Sequence, residues 1–218
     1  MMPRLTQIKE TKRGRLALFL DGEFAFSLDE ETFARAALHE GDELEPWRVE
    51  DLRKQSDTRR ALDKAMDFLS LRDHAAGELY RKLCRKFDAE SAAWAVARAG
   101  ELGLLNDESF ARRRAAELLR KHKSRREILQ DLAAKGIDRD TAARVAGELY
   151  DPDTEGEDPE LTAARTLVER RYASRLAAGK RDQVAAALAR RGFSHAVIRE
   201  ALAAWEGSSP SALLKLTE

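Results

Sequence analysis

Three stretches, laid on one another, decide the fold: Glu78-Leu79-Tyr80-Arg81-Lys82-Leu83-Cys84-Arg85-Lys86-Phe87-Asp88, Glu127-Ile128-Leu129-Gln130-Asp131-Leu132-Ala133-Ala134-Lys135-Gly136-Ile137-Asp138, and Gln183-Val184-Ala185-Ala186-Ala187-Leu188-Ala189-Arg190-Arg191-Gly192-Phe193-Ser194. Each holds an apolar pair four residues apart (Leu79/Leu83, Ile128/Leu132, Val184/Leu188), which on a helix stacks on one face and forms a buried stripe. Gly136 and Gly192 suit the left-handed position that ends a helix, and the apolar residue after each can fold back on the last turn. The first stretch lacks that glycine and must close differently. Asp88, Asp138 and Ser194 are side-chain caps for a following helix, and Ser124-x-x-Glu127 has the form of a capping box. A helical pattern precedes and follows each stretch, so the unit is three helices, repeated three times at a spacing of about fifty residues.

Upstream, the pattern is β. Arg15 to Leu20 meets Asp21-Gly22 and then Glu23-Phe24-Ala25-Phe26, and Asp-Gly between such runs signals a type I′ hairpin, whose two central residues need positive φ. A turn at Lys12-Arg13-Gly14 makes Leu5 to Lys9 a third strand. Ser27-Leu28-Asp29-Glu30-Glu31 then offers the start of a helix that Gly41 stops, and Pro46 opens another short helical segment. After residue 57 the chain is alanine- and arginine-rich helix with no further strand. The expected domains are a hairpin-rich region at 1–57, modules at 58–106, 107–150 and 160–206, an acidic Pro/Gly linker at 151–159 and a tail at 207–218. The fold class is mostly α: a tandem array of three three-helix modules behind a small antiparallel β/α domain. One such module alone buries too little surface to be robust, and stacked neighbours support one another.

Composition excludes several classes of function. In 218 residues, 39 Lys and Arg balance 39 Asp and Glu, which rules out a uniformly basic nucleic-acid coat. A single cysteine, Cys84, excludes an internal disulfide framework and fits a reducing compartment. No apolar run reaches the roughly 20 residues that cross a bilayer, and the opening Met1-Met2-Pro3-Arg4-Leu5 has no signal-peptide core, so a cytoplasmic location and no membrane partner are expected. Gly179-Lys180 is no phosphate loop, because Ser174 and Arg181 stand at the positions of its first glycine and its hydroxyl. His39-Glu40 is no zinc helix, because Glu43 replaces the second histidine. His39, His74, His122 and His195 share no ligand spacing, and Cys84 reads as a packing residue. The expectation is no enzyme, no cofactor and no metal. Trp94 and Trp205 fall in apolar helical patterns and read as core, while Phe19, Phe24 and Phe26 are expected to cover one face of the sheet.

The neutral total hides a divided chain. Residues 1–57 carry a net charge of −4 and residues 58–150 a net charge of +5. Within 112–126 stand Arg112, Arg113, Arg114, Arg120, Lys121, Lys123, Arg125 and Arg126 against the single acid Glu117. Such a run can be a solvated helix face, but like charges at neighbouring helical positions cost roughly 0.2–0.5 kcal/mol per pair. A polyanion would relieve that repulsion and release counterions. Arg112, Arg113, Arg120, Lys121, Lys123, Arg125 and Arg126 are therefore the candidate contacts, with Arg81, Lys82 and Arg85 as a second patch. The acidic amino-terminal region suits a protein contact, or a lid over the basic modules, better than DNA.

The residues of the repeat also carry a family likeness. Leu71-Arg72-Asp73-His74-Ala75-Ala76-Gly77-Glu78-Leu79-Tyr80-Arg81-Lys82-Leu83 resembles the signature of the RecX family, bacterial modulators of the RecA recombinase. Glu101 through Ala111 and Ile128 through Ile137 are similar to the same family, in the same order, so the likeness covers about residues 58–206. The hairpin resembles an extra domain found in a subset of it. The chain departs from the pattern at Ala75, where a serine cap is usual, and at Ser124-Arg125-Arg126, where glycine-proline is usual. The resemblance implies an elongated, curved helical array lying in the groove of a RecA–DNA filament. There it would limit filament extension and damp ATP hydrolysis, strand exchange and co-protease activity, as part of recombinational repair and the SOS response. The implied partners of a monomeric protein are the RecA filament and single-stranded, and also double-stranded, DNA. The alternative from the residues is a direct DNA binder acting by competition for the strand.

Overall fold

The computed structural model describes residues 2–150 and 157–208, so positions 151–156 of the expected linker and 209–218 of the expected tail lie outside the described residues. The chain divides into two compact units, Met1–Leu105 and Asn106–Glu218. It is mostly helical, with a three-stranded antiparallel sheet near its start.

In the first unit the strands are β1 (Leu5–Glu10), β2 (Leu16–Leu20) and β3 (Glu23–Leu28), paired in sequence order. Asp21 (φ 50°) and Gly22 (φ 87°) both take the left-handed conformation that the hairpin signal requires. One face of the sheet packs Leu5, Leu18, Phe26 and Leu28 against Leu38, Leu44 and Leu52. The phenylalanines do not share that face. Leu18 pairs with Phe26 but Phe19 pairs with Phe24, so Ala25 is an extra residue in β3. The bulge breaks the two-residue alternation and turns Phe24 outward. Phe24 is 62% exposed and meets Phe19 edge to face at 5.9 Å, while Phe26 is buried.

Helix α1 (Glu30–Ala36) starts at Asp29, whose carboxylate accepts from Thr32 N at 3.0 Å. It stops at Ala37, a left-handed residue with φ 48°, before Gly41 is reached. The short helix expected at Pro46 is instead the first part of α2 (Pro46–Leu71), which runs unbroken for 26 residues through position 57. No glycine or proline interrupts that stretch, and Ser56 within it is buried with its hydroxyl donating to Ser27 O at 2.6 Å. That bond, with Arg15 donating to the same carbonyl at 2.6 Å, ties the sheet to α2.

Helices α3 (Ala76–Leu83) and α4 (Ala89–Glu101) complete the first bundle. Leu79 and Leu83 are fully buried among Ala61, Ala65, Ala92 and Ala95, small side chains that let α2 and α4 approach closely. The missing glycine is replaced by a right-handed turn: Cys84 has φ −59° and Phe87 N donates to Leu83 O at 3.0 Å. Cys84 is exposed, contrary to the packing role expected of it, because it lies one residue off the Leu79/Leu83 stripe. Trp94 is likewise not core but 46% exposed. The buried stripe of α4 is Ala92, Ala95 and Ala99, and a residue two positions after Ala92 sits on the opposite side of a helix.

His74 is buried at the turn before α3. Lys82 can only donate, so its contact with His74 Nε2 at 2.9 Å makes that nitrogen the acceptor and leaves Nδ1–H to donate to Arg72 O at 2.9 Å. Burial pushes the imidazole pKa down. A depressed folded pKa means that the stability contribution is present above the unfolded pKa of about 6.5 and is lost as pH falls toward the folded value. The stability of the first unit to urea is expected to fall as pH is lowered through about 6.5, and His74→Gln is expected to flatten that part of the curve. An unchanged slope in the variant would contradict this assignment.

The second unit contains α5 (Asp107–Arg120), α6 (Arg125–Lys135) and α7 (Arg139–Leu149), then α8 (Pro159–Leu167), a π-helical turn (Val168–Tyr172), α9 (Ala173–Ala177), α10 (Arg181–Arg190) and α11 (His195–Ser208). The caps fall where the sequence places them. Ser124 and Glu127 form a reciprocal capping box, Asp138 accepts from Thr141 N, and Ser194 from Val197 N. Gly136 (φ 89°) and Gly192 (φ 91°) are left-handed. Ile128 and Leu132 in α6, and Val184 and Leu188 in α10, are fully buried, as is the matching pair in α3. Leu119 of α5 and Trp205 of α11 pack on the core formed by α8, α10 and α11.

Candidate functional site

Seven of the ten candidate cations lie on one continuous piece of the second unit: α5, the turn after it and the start of α6. At least four of the eight bases in 112–126 are answered by carboxylates, most from outside that window. Arg112 bonds Glu148 of α7 at 2.9 Å and also pairs with Glu108, while Arg144 of α7 bonds Glu108 at 2.8 Å. These four side chains form an exposed ladder between α5 and α7. It holds Glu108 and Glu148 below the usual carboxylate range, through the hydrogen bond from Arg144 in the first case and from Arg112 in the second. Arg114 donates twice to Asp131 of α6, at 2.8 Å each, and once to Glu117 at 2.9 Å, and the bond to Arg114 depresses the Asp131 pKa. Lys121 bonds Glu117 at 2.5 Å and Lys123 bonds Glu127 at 2.8 Å. The repulsion expected from the run is thus largely relieved within the fold, because a window along the chain does not contain Asp131, Glu127 or Glu148.

Arg120, Arg125 and Arg126 are exposed and form no ion pair among the described residues. Arg113 is exposed as well and does have a partner interaction. The Arg125 guanidinium lies 5.7 Å from the centre of the Tyr150 ring, and its backbone N–H donates to Glu160 at 3.0 Å. Glu160 therefore tethers the start of α8 to the start of α6. Burial pushes its pKa up, and burial also raises that of Tyr150.

Arg126 is positioned by an absence. A Cβ on Gly192 would meet Arg126 Cβ at 2.9 Å, Arg126 Cδ at 3.0 Å and Ser124 Oγ at 3.0 Å. The stem of Arg126 rests on the glycine backbone, and Ser124 Oγ donates to the neighbouring Arg191 O at 2.7 Å. Gly192→Ala meets both this contact and the penalty of a positive φ, whereas Gly22→Ala has open space and meets the φ penalty alone. The expected losses by urea unfolding are about 2–3 kcal/mol at Gly192 and about 1 kcal/mol at Gly22. Equal losses would mean that Arg126 moves aside freely.

Arg125, Arg126, Leu129, Gln130, Ala133, Glu160, Gly192 and Ser194 line a groove of about 640 Å³ along α6. The sequence marks Gly192 as a helix terminator only. Its second role, like that of Glu160, depends on the third module folding against the second.

The remaining candidates sit in the first unit. Lys82 is engaged by His74 and lies 4.9 Å from the Phe68 ring centre, so it is part of the bundle as much as its surface. Arg81 and Arg85 are exposed, and Arg81 has a partner interaction. Among the described residues no group of three or more His, Cys, Asp or Glu side chains is placed to hold a metal ion, and no helix is long and apolar enough to cross a membrane.

Comparison with known proteins agrees with the repeat. A family model for the first three-helix domain of RecX matches residues 61–98, and one for the second three-helix domain matches residues 106–145. Regulatory protein RecX of Caldanaerobacter subterraneus is 29% identical over 165 residues, covering 75% of this chain and 81% of that protein. The protein of the same name from Lactobacillus johnsonii is 34% identical over 157 residues, covering 71% of this chain and 57% of the relative, and that of Bacillus subtilis 30% over 148 residues, covering 64% and 54%. The chain thus spans little more than half the length of these last two. A crystal structure of regulatory protein RecX superposes with a TM-score of 0.65 at 20% identity over 91% of this chain and 98% of that one. RecX from Lactobacillus salivarius superposes with a TM-score of 0.58 at 22% identity, covering 69% and 97%. With two of its helical bundles matched as RecX three-helix domains and its relatives named RecX, the chain belongs to the RecX family of regulatory proteins.

Proposed function

We propose that this protein binds the RecA–DNA filament in its groove and restrains the recombinase, limiting filament extension and with it ATP hydrolysis, strand exchange and co-protease activity. It acts in the cytoplasm, as a monomer and without catalysing a reaction. The modules at 58–106, 107–150 and 160–206 form the binding row, and a filament offers each of them an equivalent site, so weak contacts add through effective concentration. The observation that carries the reading is family membership through the first two of those modules. The exposed Arg120, Arg125 and Arg126, whose guanidinium groups form no ion pair among the described residues, support it.

The competing reading, direct capture of naked DNA, makes a different demand. Binding that rests on phosphate contacts alone falls with salt at a log–log slope of about 0.7 per contact on single strands. A salt titration on oligo(dT) beside RecA filament preformed on the same strand is expected to give tighter binding to the filament at every salt concentration. Tighter binding to bare oligo(dT) throughout would replace the filament reading with competition.

A further inference from the structure

The groove along α6 differs from a phosphate track in three ways. Its cations are few: Arg125 and Arg126 are the basic residues of its lining. Its floor is apolar, formed by Leu129 and Ala133 on successive turns of α6 with the Gly192 backbone opposite. It also contains a carboxylate, Glu160, one oxygen of which already accepts from Arg125 N at 3.0 Å. A phosphodiester chain passing through would bring repeated negative charge onto Glu160 and offer little to the floor. A polypeptide fits better, because a carboxylate matches the paired arginines, an aliphatic side chain matches the floor, and main-chain N–H groups suit the oxygens of Glu160 and Gln130. The volume of about 640 Å³ is that of a site for a few side chains.

We infer that this groove is the docking site for an acidic, aliphatic protein segment, whose carboxylate pairs with Arg125 and Arg126 and whose apolar side chain lies on Leu129 and Ala133. Gly192 is its positioning residue, since it lets the Arg126 stem lie flat and holds the guanidinium over the mouth. The inference rests on the proposed function for the source of the segment, which is the protein of the filament. It assigns Arg125 and Arg126 to protein recognition, leaving DNA contact to other cations of the candidate set.

The test uses the full chain and two fluorescein-labelled probes, a short leucine-containing peptide with a single Asp and an oligo(dT), read by anisotropy. Ala133→Gln fills the floor without changing charge, and Ala133 is an exposed helical position, so circular dichroism is expected to be unaltered. The expected result is peptide affinity weaker by about tenfold, equivalent to about 1.4 kcal/mol, with oligo(dT) affinity changed by less than about twofold. Equal losses on both probes, loss on oligo(dT) alone, or no binding of the peptide by the unsubstituted chain would overturn the inference. A third arm uses preformed RecA filament. If the peptide and oligo(dT) behave as expected but the unsubstituted chain ignores the filament, the groove stands and the filament reading falls.

Discussion

Leu132→Ala is expected to destabilise the second unit by about 2–5 kcal/mol in urea unfolding, among the largest effects of any single truncation in the repeat. Leu132 is fully buried and is one of the pair that each middle helix contributes to its bundle. Alanine removes the transfer free energy of the lost carbons and leaves a cavity that neighbouring helices close only in part. The bundle of α5, α6 and α7 has few large side chains besides Phe110, Leu118, Ile128 and Val145, so collapse around the gap is limited. Leu83→Ala and Leu188→Ala occupy the equivalent place in the other two bundles and are expected to cost similar amounts. Gln130→Ala, an exposed position on the same helix, serves as the control and is expected to stay within about 0.5 kcal/mol. A loss below about 1 kcal/mol at Leu132 would remove the repeat stripe as the organising feature of the core.

The second large effect is functional. Reversing both groove arginines, Arg125→Glu with Arg126→Glu, is expected to raise the concentration needed to restrain RecA ATP hydrolysis by more than about tenfold, since two attractive contacts become repulsive ones. Neither guanidinium forms an ion pair with a described carboxylate, so the fold loses no salt bridge by the change. Arg112→Glu is the informative contrast: Arg112 is held by Glu108 and Glu148, and its reversal breaks the α5–α7 ladder and puts three carboxylates together. That variant is expected to lose stability at neutral pH. A double variant at 125 and 126 that restrains RecA as well as the unsubstituted chain would remove α6 from the interface.

Local rules made much of this legible in the sequence. Asp21-Gly22, the caps at Asp88, Asp138 and Ser124, and the glycines at 136 and 192 each express a backbone requirement satisfied within a few residues. The paired apolar positions of α3, α6 and α10 express a helical period, and all six are buried. What could not be read depended on contacts distant along the chain or on one-residue irregularities. The bulge at Ala25 turned Phe24 away from the face that alternation assigns it. Trp94 has an apolar sequence neighbourhood, but alanines supply the α4 stripe and leave the indole outside. The basic run looked unbalanced because Asp131, Glu127 and Glu148 reach it only through folding. The groove on α6 needed both bundles of the second unit in place before Gly192, Glu160 and the two arginines became neighbours.

The most direct measurement of the central claim is RecA ATP hydrolysis on single-stranded DNA with this protein added at fewer molecules than RecA protomers. A protein that works on a growing polymer affects many protomers through one contact, so the account predicts strong suppression well below one-to-one. ATP turnover that stays at its uninhibited rate at every ratio would contradict it.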